Sequence, residues 1–134
     1  MNTYIFVAGI LCFLLGIVHS ILGEYLIFKT KRDKGSLVPS KESSELKERH
    51  LRIIWATWHL ASIFGWCIGT ISVTISLAQN EQQYDSYGFI IQSITYTMFL
   101  GSLLVLVGTK GKHPGWIVLL VIGILLILGN LPYD

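Results

Sequence analysis

Apolar residues run in four blocks along the chain, and short polar stretches separate them. A segment needs about 20 mostly apolar residues to cross a hydrocarbon core of roughly 30 Å. Residues 4–28, 51–78, 89–108 and 116–131 meet that need or approach it, and each predicts a helix. The first block lacks a basic leader, and its apolar run is about twice the 7–15 residues of a signal-peptide core, so it reads as a retained helix. The expected fold is therefore all-α: an integral membrane four-helix bundle forming one domain.

Within the first block the small residues have a period. Gly9, Gly16 and Gly23 are seven apart, and Cys12 and His19 fall between them in alternating steps of three and four. That spacing lines one face of a helix. Small residues on a face let membrane helices approach closely, where packing rather than hydrophobicity drives association. Ser20 and Glu24 sit four apart on a neighbouring face, within the stretch GIVHSILGEY. In the second block, RHLRIIWATWHLASIFGWCIG, Arg52, His59 and Trp66 are seven apart, with Trp55 nearby. Gly65 and Gly69 form a GxxxG pair on a face a quarter turn away.

Charge then orients the bundle. All ten Lys and Arg fall in two connections: eight between Lys29 and Arg52, and two at Lys110 and Lys112. Positive loops face the cytoplasm, so both termini are expected on the non-cytoplasmic side of a cytoplasmic (inner) membrane, with the basic loop 29–50 against anionic headgroups. Only 13% of residues are charged and 52% are hydrophobic, well short of the usual charged share of a soluble domain. A basic loop of this kind lacks the broad basic face that a nucleic-acid partner needs. Within the loop, Pro39 and the pairs Glu45–Arg49 and Glu48–Arg52 predict that the second helix begins near residue 40. Cys12 and Cys67 make no CxxC motif and are expected to be buried thiols.

Candidate chemistry gathers where the first two helices meet. Counted at 1.5 Å per residue, His19 and His59 both lie about 12–14 Å in from the cytoplasmic ends, and Glu24 lies about 6 Å in, within reach of Arg52. His19, Ser20, Glu24, Arg52, Trp55 and His59 thus form an expected intramembrane polar site. Three readings suit it. A protonatable Glu–His pair fits proton-linked transport of a small solute or ion, with Gln92, Thr95, Tyr96 and Phe99 of the third helix lining a pore or pocket. His19, His59 and Glu24 would also make a haem or transition-metal ligand set. The third reading is structural, with polar groups bonding neighbouring helices in an assembly subunit without its own ligand. His50 and His113 read as solvated loop histidines. An enzyme is the weakest class, because neighbours such as His19 and Ser20 point about 100° apart on a helix and form no dyad. The glycine-lined faces, Gly9, Gly16, Gly23, Gly65 and Gly69, suit homo-oligomerisation or a partner membrane protein. In size and four-helix layout the chain is similar to the small multidrug-resistance carriers, which also keep a glutamate in the first helix. Their loop charge and aromatic motifs differ, so the likeness implies layout and no activity; the small fluoride channels share the size only.

Overall fold

The computed structural model describes residues 1–41, 43, 46–78 and 84–131. Most of the second connection, the tail PYD and Glu45 of the Glu45–Arg49 pair lie outside the described residues. The described chain is all helical: α1 (Thr3–Gly23), α2 (Glu48–Leu77), α3 (Tyr84–Gly108) and α4 (Gly115–Asn130). Three helical segments are long and apolar enough to cross a membrane: Thr3–Lys31, Glu48–Leu77 and Tyr87–Gly108. α4 is equally apolar but has 16 residues. Large apolar side chains point outward along the chain, among them Leu26, Phe64, Leu104 and Ile124.

α1 lies at the centre. It packs along α2 on one side and along α4 on the other, and α4 in turn carries α3; α2 and α3 barely meet. The glycine period explains the first contact. A Cβ on Gly9 would fall 2.8 Å from Val73, one on Gly16 would fall 2.5 Å from the Trp66 indole nitrogen, and one on Gly23 would enter the Trp58 ring. Gly69 answers from α2, its Cα facing the Gly9 carbonyl. These faces are thus occupied within the chain. Gly65 faces the Cys12 carbonyl more loosely, at 3.8 Å. Cys12 is buried against this core, whereas Cys67 is exposed on the outer face of α2, contrary to the expectation of two buried thiols.

The contacts run antiparallel, so the two basic connections share one end of the bundle. At the other end Asn2 joins three helices. Its side-chain amide donates to the Gly129 carbonyl at 2.6 Å, its Oδ1 accepts from the Ile5 N–H, and its backbone N–H donates to the Ser76 carbonyl. An Asn at this position is a favourable N-cap, and here it also ties α4 and α2 to the start of α1.

The second helix starts at Glu48, not near residue 40. The reason is where the backbone donors go: the amides of Ser40 and Lys41 both donate to the Lys31 carbonyl at 3.0 Å. Pro39 is buried. The segment folds back on the end of the first helix, so it is not available to begin a new one. At the other basic turn, the Gly111 N–H donates to the Leu106 carbonyl, closing α3 as helices commonly end.

Candidate functional site: a Ser–His–Glu chain beside an apolar cavity

After Gly23 the first helix widens. Glu24–Phe28 form a single π-helical stretch in which the Lys29 N–H donates to the Glu24 carbonyl, and Lys29–Lys31 then tighten to a 3₁₀ turn. Such insertions often mark functional positions. Arg32 follows in extended conformation. In an uninterrupted α-helix Arg32 would stand about 12 Å further along the axis than Glu24. Because the helix ends instead, Arg32 turns back, and its Nη2 donates to both Glu24 oxygens, at 2.7 and 2.6 Å.

Glu24 is the acceptor on which α1 and α2 converge. Its Oε1 also receives the Trp55 indole N–H at 2.5 Å and lies 3.0 Å from His59 Nε2. The other nitrogen of His59, Nδ1, lies 3.0 Å from Ser20 Oγ, and Ser20 Oγ lies 2.9 Å from Ser62 Oγ. Four side chains, Ser62, Ser20, His59 and Glu24, thus form one hydrogen-bonded chain, anchored by Arg32 and Trp55. Trp55 holds the His59 ring edge-on at 4.9 Å, and buried Phe28 lies 6.3 Å from it. Ser62 comes from the same face of α2 as His59, three residues on.

His19 belongs elsewhere. Its ring stacks on Trp58 at 4.2 Å, nearly parallel, while the Trp58 indole N–H donates to the His19 carbonyl at 2.9 Å. The two faces of α1 therefore serve two spaces. Ser20, Glu24, Tyr25, Lys29, Arg32 and His59 line a groove of about 430 Å³ on the basic end. His19, Trp58, Ser62 and His113 help line a separate, largely apolar cavity of about 530 Å³ between α2 and α3. Ser62 links them: it lines the cavity and bonds to a residue of the groove.

Several expectations change. Arg52 does not reach Glu24; it pairs with Glu48 at 2.5 Å on the surface, one helical turn away. Gln92, Thr95, Tyr96 and Phe99 do not line one space. Gln92 donates to the Tyr96 hydroxyl on the exposed side of α3, Thr95 is buried and donates to the Ile91 carbonyl, and Phe99 packs where a Gly123 Cβ would sit. The α3 wall of the cavity is made instead by Thr97, Met98, Gly101 and Val105, with Thr109 just past the end of the helix. His113 is not a solvated loop residue, since it is half-buried at the cavity. The proposed ligand set is split as well: His19 lines the cavity while His59 and Glu24 line the groove. Among the described residues no three His, Cys, Asp or Glu side chains converge as metal ligands.

The residues that sequence reasoning missed are Arg32, Ser62, Trp58 and His113. Only Ser62 carried a local signal, its spacing from His59. Trp55 and Trp58 spend their indole N–H groups on the first helical segment, at the Glu24 carboxylate and the His19 carbonyl. No protein-family model matches this chain, and neither a curated protein nor a solved structure matches it.

Proposed function

We propose that this is a multi-pass protein of the cytoplasmic membrane, with four spans and both termini outside, in which the Ser62–Ser20–His59–Glu24 chain carries protons for the movement of a small solute through the α2/α3 cavity. The segregation of all ten Lys and Arg to two connections at one end supports the orientation. Those connections face anionic headgroups, each cation near the surface contributing about 1 kcal/mol. α4 spans with local thinning of the bilayer, the usual response to a short apolar helix.

The observation that carries the proton reading is the unbroken chain from the cavity wall at Ser62 to the groove at Glu24 and Arg32. Glu24 Oε1 already accepts from Arg32 and Trp55, so His59 meets it as a donor through Nε2–H. With His59 neutral, Nδ1 accepts from the Ser20 hydroxyl, which then gives up the donation to Ser62 present in the structure, so Ser62 turns to donate to Ser20. When a proton arrives at Nδ1, that nitrogen becomes a donor, Ser20 turns to donate to Ser62, and the imidazolium rests against the Glu24 carboxylate. One proton on His59 therefore reverses two hydroxyls and is felt at the cavity wall. Ionisable groups inside a membrane bundle characteristically mark such relays.

The test is proton flux in liposomes of bacterial lipid extract, read with an internal pH dye under an imposed potential. Wild-type protein is expected to carry protons, and Glu24→Gln and His59→Leu to lower the rate at least tenfold, while Ser102→Ala leaves it unchanged. A wild type that carries none would overturn the proposal.

The same distances favour one second reading. Ser20, His59 and Glu24 stand in the order nucleophile, base and orienting carboxylate that acyl transfer uses. The relay is preferred because Ser20 is also engaged by Ser62, which ties its hydroxyl toward the cavity. Labelling of Ser20 by a fluorophosphonate, lost in His59→Leu, would decide for acyl transfer.

A further inference from the structure

We infer that the cavity between α2 and α3 binds a neutral single-chain amphiphile, its carbonyl or hydroxyl head held by His19 and His113 and its chain laid along the apolar wall. This names the solute class for the proton-linked reading and depends on that reading only for its link to proton movement, not for binding.

The wall is divided in the way such a molecule is divided. Of its polar groups, His19, Thr109 and His113 lie toward the end that carries the basic connections and Ser62 and Thr97 lie further in, and most of the remaining wall is apolar, with residues such as Leu15, Ile68, Met98, Leu119 and Ile122. A volume of about 530 Å³ lies within the usual 300–1,000 Å³ of small-molecule pockets, which combine an apolar lining with a few placed polar groups. A purely apolar occupant would leave the imidazoles unanswered, and a charged one would be costly to bring against so apolar a lining.

The two histidines are prepared for an oxygen. His113 Nδ1 accepts the Gly115 N–H at 3.1 Å, so the neutral ring carries its proton on Nε2 and offers it as a donor. The His19 ring is fixed by its stack on Trp58, and the relay makes no use of it. Entry is by the side. α2 and α3 barely meet, so a chain-like ligand passes from the bilayer between them without crossing water. Its head then lies toward the end that carries the basic connections and its chain toward the opposite end.

The experiment uses the full chain in nanodiscs and a photoactivatable hexadecanol with a diazirine on its chain. Crosslinks read by peptide mass spectrometry are expected at the cavity-lining residues Ala61, Gly65 and Ile68 of α2 and Met98, Gly101 and Val105 of α3, and a tenfold excess of plain hexadecanol should suppress them at least fivefold. Hexadecane should not compete. Gly101→Trp, which fills the cavity, should abolish the crosslink, and His113→Leu should weaken competition about tenfold. Ala61→Phe serves the same purpose if Gly101→Trp does not fold. Crosslinks confined to outward residues such as Phe89, Leu104 and Val107, or equal competition by hexadecane, would overturn the inference. Specific crosslinks in a protein that carries no protons would leave this site standing and remove the proton-linked reading; flux without specific crosslinks would do the reverse.

Discussion

The pair α1–α2 and the pair α3–α4 are both antiparallel and apolar, yet they are held together differently. Between α1 and α2, glycines at a seven-residue period bring the backbones close, and the flanking positions deliver Ser20, Glu24, His59, Ser62 and two indole N–H groups to one another. Between α3 and α4, the interlock includes an aromatic ring over one glycine, Phe99 on Gly123, and a side-chain bond from the Ser102 hydroxyl to the Trp116 carbonyl at 2.8 Å. Close approach is what makes the polar network possible, because donors and acceptors from two helices must lie within about 3 Å of each other to bond directly. The pair without the glycine period supplies a cavity wall instead of a site.

The comparison can be broken most sharply at Glu24. Glu24→Ala leaves Arg32, Trp55 and His59 with no common acceptor and should cost about 2–3 kcal/mol, against about 1 kcal/mol for Ser102→Ala in the other pair. Thermal unfolding in a fixed detergent reads both, and equal losses would show that the two interfaces do not differ in this way. The glycines come next. Gly16→Ala should destabilise by about 1–3 kcal/mol because the Trp66 ring must move. Gly101→Ala, whose Cβ would meet Leu119 at an ordinary 3.6 Å, should be neutral or gain up to about 1 kcal/mol from helix propensity.

Asn2 tests how far the pairs depend on one another. Asn2→Ala removes the N-cap and the bond to Gly129, an expected loss of about 1–2 kcal/mol, and it should raise hydrogen exchange at the ends of α2 and α4 as well as at the start of α1. Exchange confined to α1 would mean that the stitch is local. The smallest effect is expected at Arg52. Its pair with Glu48 is exposed at both partners, 56% and 41%, so Arg52→Ala should change stability by no more than about 0.5 kcal/mol. Arg32→Ala, by contrast, should approach the loss seen for Glu24→Ala. If Arg52 proved the costlier of the two, the assignment of Glu24 to Arg32 would be wrong.

Much of this architecture is local and could be read without coordinates. Helix positions follow from apolar runs, and the shared faces of Gly9, Gly16 and Gly23, or of Ser20 and Glu24, follow from 3.6 residues per turn. That His59 would lie near Ser20 and Glu24 follows from counting depth on two adjacent helices. The same counting put Arg52 beside Glu24, where the structure puts Arg32, and grouped His19 with His59, which line different spaces. Depth along an axis says nothing about direction around it, and a count along a regular helix cannot register where that helix stops being regular.

Sequence alone thus determined the all-helical class, the apolar blocks, the gathering of positive charge into two connections and the small-residue face of α1, because each depends on residues a few positions apart. Tertiary structure alone decided that the π-helical turn at Glu24–Phe28 returns Arg32 to Glu24, that His19 and His59 serve different spaces, and that α2 and α3 stand apart around a cavity reaching His113. Those outcomes depend on how four helices are arranged around one another. That arrangement is a balance of packing over the whole bundle, and no local spacing encodes it.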